Sequence, residues 1–147
     1  MRHQIFGRKL NRDVKERKAL FKSLISSLIL YGKIKTSLAK GKAIKGFIDK
    51  LVSLAKRGTS SAFTQIQSFL GKKKLSEKLI KEIVPKYQER VSGYTTLKRV
   101  GKRDSDAAEE VVLEWCKSSS QLEKEKNVEK AKINGNKKTR LGRNKKV

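Results

Sequence analysis

The chain has 147 residues, room for one modest domain with extensions, and 36% of them are hydrophobic. Lys and Arg number 38 against 14 Asp and Glu, a formal net charge of +24 whose self-repulsion opposes compaction and points to a polyanionic partner, nucleic acid foremost. A lone cysteine and a lone histidine exclude an internal disulfide and a Cys/His zinc site, and no run approaches the ~18 apolar residues of a membrane span.

The chain opens "MRHQIFGRKLNR", where Arg2, His3, Arg8, Lys9 and Arg12 outnumber the apolar Ile5, Phe6 and Leu10. That is too little apolar surface to fold alone, so residues 1–12 read as an extended arm that orders on its partner. The start lacks the apolar run of a secretory signal, so neither export nor a cleaved leader is expected. "NRDVKERKALFKSLISSLILYG" follows as a first helix, with Asn11 as cap, Asp13 in the positive first turn and Gly32 just past the end. Val14, Phe21, Leu24, Ile25 and Leu28 form its expected core stripe, while Arg12, Lys15, Lys22 and their neighbours occupy the rest.

"KIKTS" is a short β-prone piece, and Thr36 or Ser37 is placed to cap a second helix. Ile44, Phe47, Ile48, Leu51, Leu54 and Ala55 make the apolar face of that helix, and Gly58 ends it. Gly41 and Gly46 weaken it by ~1 kcal/mol each relative to Ala, so tertiary packing must hold it. "SSAFTQIQSFL" reads as a third helix stopped by Gly71, and "LSEKLIKEIVPKYQER" as a fourth, capped by Ser76 and kinked or broken after Val84 by Pro85.

The period then changes from helical to alternating. "GYTTLKRV" and "EEVVLEW" read as two antiparallel strands joined by "GKRDSDAA", with "KIKT" as a third strand and helices over one face. Val111, Leu113 and Trp115 fall on one side of the last strand, Glu110, Val112 and Glu114 on the other. Residues 117–147 carry eleven Lys or Arg, three Glu and few large apolar side chains, the composition of a basic disordered tail. The expected layout is an arm (1–12), a compact α+β domain of the broad α/β class (13–116) and a tail (117–147).

Catalytic patterns are missing. His3 and Cys116 sit in an extended arm and at a strand end, which supports no nucleophile–base pairing. Glu109, Glu110 and Glu114 read as solvated strand charges rather than an acid/base pair. "GKIKTS" and "GKKKLS" lack the upstream glycine of a phosphate loop. The arm is different: Arg2, Arg8 and Arg12 offer planar forks that match phosphate oxygens, Gly7 allows close backbone approach, and His3 or Phe6 can stack on a base.

Three separated blocks in the same order, "MRH...GRKLNR", "KALFKSLISSLILYGKIKTSLAKGKAIKGFIDKLVSLAK" and "SGYTTLKRVGKRDSDAAEEVVLEW", closely resemble the bacterial large-subunit ribosomal protein seventeen family. The likeness spans about residues 1 to 115 and is weakest between Gly58 and Leu75. Leu38-Ala39 stands where family members commonly carry Pro, and Ser92-Gly93 where they carry a glycine pair. The resemblance implies a compact α/β domain with a small mixed three-stranded sheet, an arm embedded in large-subunit ribosomal RNA, and a place near the mouth of the nascent-peptide tunnel. It implies no catalysis, cofactor, metal, membrane or small-molecule substrate, and it makes neighbouring large-subunit proteins the other partners, in the cytoplasm. By motif it assigns RNA contact to Arg2, His3, Arg8, Lys9, Asn11 and Arg12 in the arm, to Lys35, Thr36 and Lys40 at the start of the second helix, and to Tyr94 and Arg99 in the hairpin. A helix-turn-helix DNA-binding protein would share the basic helical character, but no recognition helix is marked. A cationic membrane-surface protein is disfavoured because the apolar stripes suit a core and lack flanking Trp anchors.

Overall fold

The computed structural model describes residues 8–116. Residues 1–7, with Arg2 and His3, and the expected disordered tail of 117–147 lie outside the described residues. Helix α1 spans Val14–Tyr31 and is followed by strand β1, Lys33–Ser37, after the single residue Gly32, whose φ of 77° gives the chain its reversal. Ser37 ends β1 and occupies the N-cap position of α2, Leu38–Lys56, without a side-chain capping bond. Helix α3, Ser60–Leu70, begins at Thr59, whose hydroxyl accepts the Ala62 N–H at 3.2 Å, and closes on Gly71 at φ 68°.

Several expected boundaries shift. Asn11 does not cap α1: Leu10 and Asn11 both take left-handed φ values, 59° and 50°, and this turn makes Asp13 the N-cap residue. Ser76 is not a cap either. It is fully buried inside α4, Lys73–Lys78, which passes through a π turn at Leu79–Ile83 into a 3-10 turn at Val84–Tyr87. Pro85 sits in the first turn of that last piece, where the helical bonding changes from π to 3-10.

Strands β2, Thr95–Lys102, and β3, Glu109–Trp115, form the expected hairpin. The sheet order is β1-β3-β2 and both pairings are antiparallel, so the mixed sheet implied by the resemblance is corrected to an antiparallel one. The reason is topological. β1 and β2 run in the same direction, but the hairpin folds β3 in between them and antiparallel to both.

The helices bury their apolar stripes in one core. Phe21, Ile25, Leu28 and Ile29 come from α1, and Ile44, Ile48, Leu51, Val52 and Ala55 from α2. Ile66 and Leu70 join from α3, with Leu75, Leu79 and Ile83 beyond. Val111 and Leu113 supply the sheet's half, both fully buried. Gly41 lets α2 lie directly on the sheet: a Cβ there would stand 2.8 Å from Leu97 Cδ2 and 3.1 Å from Val111 Cγ2. Gly46 has open space around it and no such packing reason. Two expected core residues are instead outside, Val14 at 64% and Phe47 at 39% exposure.

The C-terminal end of α1 is held from three directions. Gly32 N–H and Trp115 Nε1–H both donate to the Leu28 carbonyl, at 2.9 and 3.2 Å, and Lys78 Nζ donates to the Leu30 carbonyl at 3.0 Å. Since α1 has no basic residue in its own last turn, Lys78 supplies from α4 the cation that the negative helix end favours.

Candidate nucleic-acid interface

Arg8, Lys9, Asn11 and Arg12 are all exposed at the approach to α1. Arg17 ties this approach to the helix, its Nη1 lying 3.4 Å from the Lys9 and Arg12 carbonyls. Lys40 is half-buried in the first turn of α2, and Thr36 lies next to it in β1, opposite Val111.

Of the other residues assigned by motif, Lys35 and Tyr94 have partners inside the domain. Lys35 pairs with Glu110 at 2.5 Å on the open face of the sheet. Arg99 is exposed on β2 beside the bulge between Arg99 and Gly101. Tyr94, assigned to RNA contact by motif, is 1% exposed and part of the domain's internal framework. Its N–H donates to Asp49 Oδ1 at 3.2 Å, and its hydroxyl lies 2.9 Å from the Arg90 and Val91 carbonyls. The Lys56 ammonium stands 4.8 Å over its ring and donates to the Gln88 and Arg90 carbonyls. Tyr94 thus ties α2 to the start of the hairpin.

Cys116 is part of the same framework. Its N–H donates to the Tyr94 carbonyl at 2.9 Å, its thiol lies 2.8 Å from Thr96 Oγ1 and 3.3 Å from the Gly93 carbonyl, and its carbonyl accepts from the Tyr87 hydroxyl. Burial pushes the Tyr87 pKa above its ordinary 10.0, the neighbouring Cys116 adds to the rise, and Arg90 opposes it.

Charge is distributed unevenly. On the open face of the sheet Lys35 meets Glu110, Lys98 meets Glu114, and Arg103 reaches Glu110 at 3.3 Å and Asp106 at 3.4 Å. On α1, Lys15, Lys18 and Lys22 take part in none of the ion pairs found among the described residues. Sequence reasoning placed these lysines only outside the core stripe of the first helix. The signal that could have found them is their spacing of three and four residues on one helix face, with no carboxylate three or four residues from any of them. No group of Cys, His, Asp and Glu among the described residues could hold a metal ion, and no described helix is long and apolar enough to cross a membrane.

The domain is thus an α+β fold with a basic α1 face and a sheet on which Lys35 and Lys98 are paired with glutamates. The family model for ribosomal protein L17 matches residues 20–116. The chain is 40% identical over 126 residues to the large ribosomal subunit protein bL17 of Methylacidiphilum infernorum, covering 86% of this chain and 96% of that one. It is 41% identical over 107 residues to the protein of that name from Clostridium botulinum, covering 73% and 95%, and 37% identical over 134 residues to that of Thermodesulfovibrio yellowstonii, covering 91% and 100%. The chain belongs to the ribosomal protein L17 family, a structural component of the ribosome and not an enzyme.

Proposed function

We propose that this protein binds and stabilises folded large-subunit ribosomal RNA in the cytoplasm, beside neighbouring large-subunit proteins and near the mouth of the nascent-peptide tunnel. The observation that carries the reading is membership of a ribosomal family by a chain of net charge +24 whose α1 lysines, Lys15, Lys18 and Lys22, take part in no ion pair among the described residues. Its mechanism is neutralisation and positioning: cations take up phosphates, release counterions and fix RNA junctions without chemistry. Residues 1–12 serve as the reaching arm, with Arg2, Arg8 and Arg12 as bidentate forks, His3, Lys9 and Asn11 beside them, and Lys40 and Arg99 as outlying contacts. Residues 117–147, at net +8, add attraction that is independent of RNA sequence.

The test is sedimentation of the tagged chain with large subunits after a high-salt wash. Retention is expected, because specific contacts outlast the screening that removes loosely held cations. Release at moderate salt, in parallel with an unrelated basic protein, would contradict the reading.

A further inference from the structure

Two grooves lie side by side on the helical surface and share Lys18, Gln65 and Phe69 as a common wall. The first, of about 670 Å³, runs between α1 and α3. Lys15, Lys18 and Lys22 line it from α1, and Thr64, Gln65 and Ser68 face them from α3 with neutral hydrogen-bonding groups. The Lys22 ammonium lies beside Gly71, which follows the C-terminal end of α3. The second groove, of about 490 Å³, is apolar, with Phe47 and Phe69 as aromatic walls and Arg17, Lys18 and Lys50 around them. It leaves Val14 mostly and Phe47 partly open to water.

Each groove alone is ambiguous, but their adjacency is not. Three ammonium groups without carboxylate partners among the described residues suit an anion, and aromatic walls beside them suit flat apolar rings. A single-stranded nucleic acid presents both at one-nucleotide spacing, and cationic grooves flanked by aromatic platforms are how proteins hold it. A duplex keeps its bases stacked and could occupy only the lysine groove.

We propose that these paired grooves bind an unpaired segment of RNA, its phosphates along Lys15, Lys18 and Lys22 and one unstacked base between Phe47 and Phe69. This deepens the RNA-binding reading above and rests on it, while adding a site distinct from the arm.

The test uses the full chain, titrated by fluorescence anisotropy with a labelled single-stranded RNA and a duplex of the same sequence at several salt concentrations. The parent should prefer the single strand. Neutralising the groove with K15Q/K18Q/K22Q should lower the single-strand salt slope by about 2, since each phosphate contact contributes ~0.7. The K15R/K18R/K22R variant should keep the slope. F47L/F69L retains apolar bulk without a π face, and should weaken single-strand binding about five-fold or more while leaving slope and duplex binding unchanged. As a direct report, emission of the F47W variant should be quenched by the single strand.

If the parent binds RNA but the Gln variant keeps its slope, the groove is overturned and the arm reading survives. If the parent binds no RNA, both fall. F47W emission that ignores RNA and shifts only when residues 1–7 are deleted would make the chain's own start the occupant. Equal quenching by poly-glutamate would make the site a dock for acidic protein. Either result overturns the base-binding half.

Discussion

Residues 8–31 and residues 95–115 are similar in length and dense in charge, yet they use it in opposite ways. The first stretch, the approach and α1, carries seven Lys or Arg against two acidic residues. The second, the hairpin, carries four Lys or Arg against five acidic residues, a net of −1 in a protein of +24. In the hairpin Lys98 lies against Glu114 and Arg103 against Glu110, and Glu110 also takes Lys35 from the neighbouring β1. On α1 the lysines face a groove and stay unpaired among the described residues. Density of charge therefore does not mark a binding face. What marks it is charge without a partner at home.

That contrast separates stability from binding and can be broken at the seam. Gly41→Val puts methyl groups where Leu97 and Val111 already stand, so it should destabilise the fold by about 2 kcal/mol, the range for overpacking a close contact. Thermal unfolding checks this, and both charged regions should be lost in one transition. Trp115→Phe removes an N–H from the Leu28 carbonyl, which Gly32 still serves, and should cost about 1 kcal/mol by denaturant titration.

Tyr87 sharpens the comparison through pH. Its folded pKa is raised above 10.0, so the folded state holds its proton where the unfolded chain has lost it. The stability linked to it is present below pH 10 and is lost as pH rises through the folded value. Unfolding of Tyr87→Phe, followed from neutral pH upward, should lack this component of the alkaline loss while starting from a stability lower by about 1 kcal/mol. The smallest effect on stability belongs to the open sheet face. E110Q/E114Q should change stability by ~0.5 kcal/mol or less, because these pairs are partly solvated. It should nevertheless strengthen nonspecific RNA binding at low salt, since it frees Lys35 and Lys98 and leaves Arg103 with Asp106 alone.

Much of the fold was legible because periodicity is local. Phe21, Ile25 and Leu28 repeat at helical spacing, and Val111 and Leu113 alternate, so α1 and the hairpin were readable from the chain alone. Strand order was not, since whether β1 meets β2 or β3 depends on how the helices return the chain. Val14 and Phe47 followed the apolar period but lie at a helix start and a groove edge, where no neighbouring element covers them. Ser76 has the chemistry of a cap and is buried in mid-helix instead, its hydroxyl 3.5 Å from the Lys72 carbonyl. The exposed approach to α1 was readable as a basic surface, whereas the lysine groove was not. Lys15, Lys18 and Lys22 gain significance only once α3 is seen to close the other wall.

The most direct test compares equal losses of charge on the two surfaces. K15Q/K18Q/K22Q removes three unpaired cations from α1, and K35Q/K98Q/R103Q removes three paired ones from the sheet, so both variants fall to +21. Salt-dependent titration of each against a fragment of large-subunit RNA should show the α1 variant losing about 2 from its slope and the sheet variant ~0.5 or less. Equal losses would contradict the account, because binding would then follow total charge and not the cations left without partners.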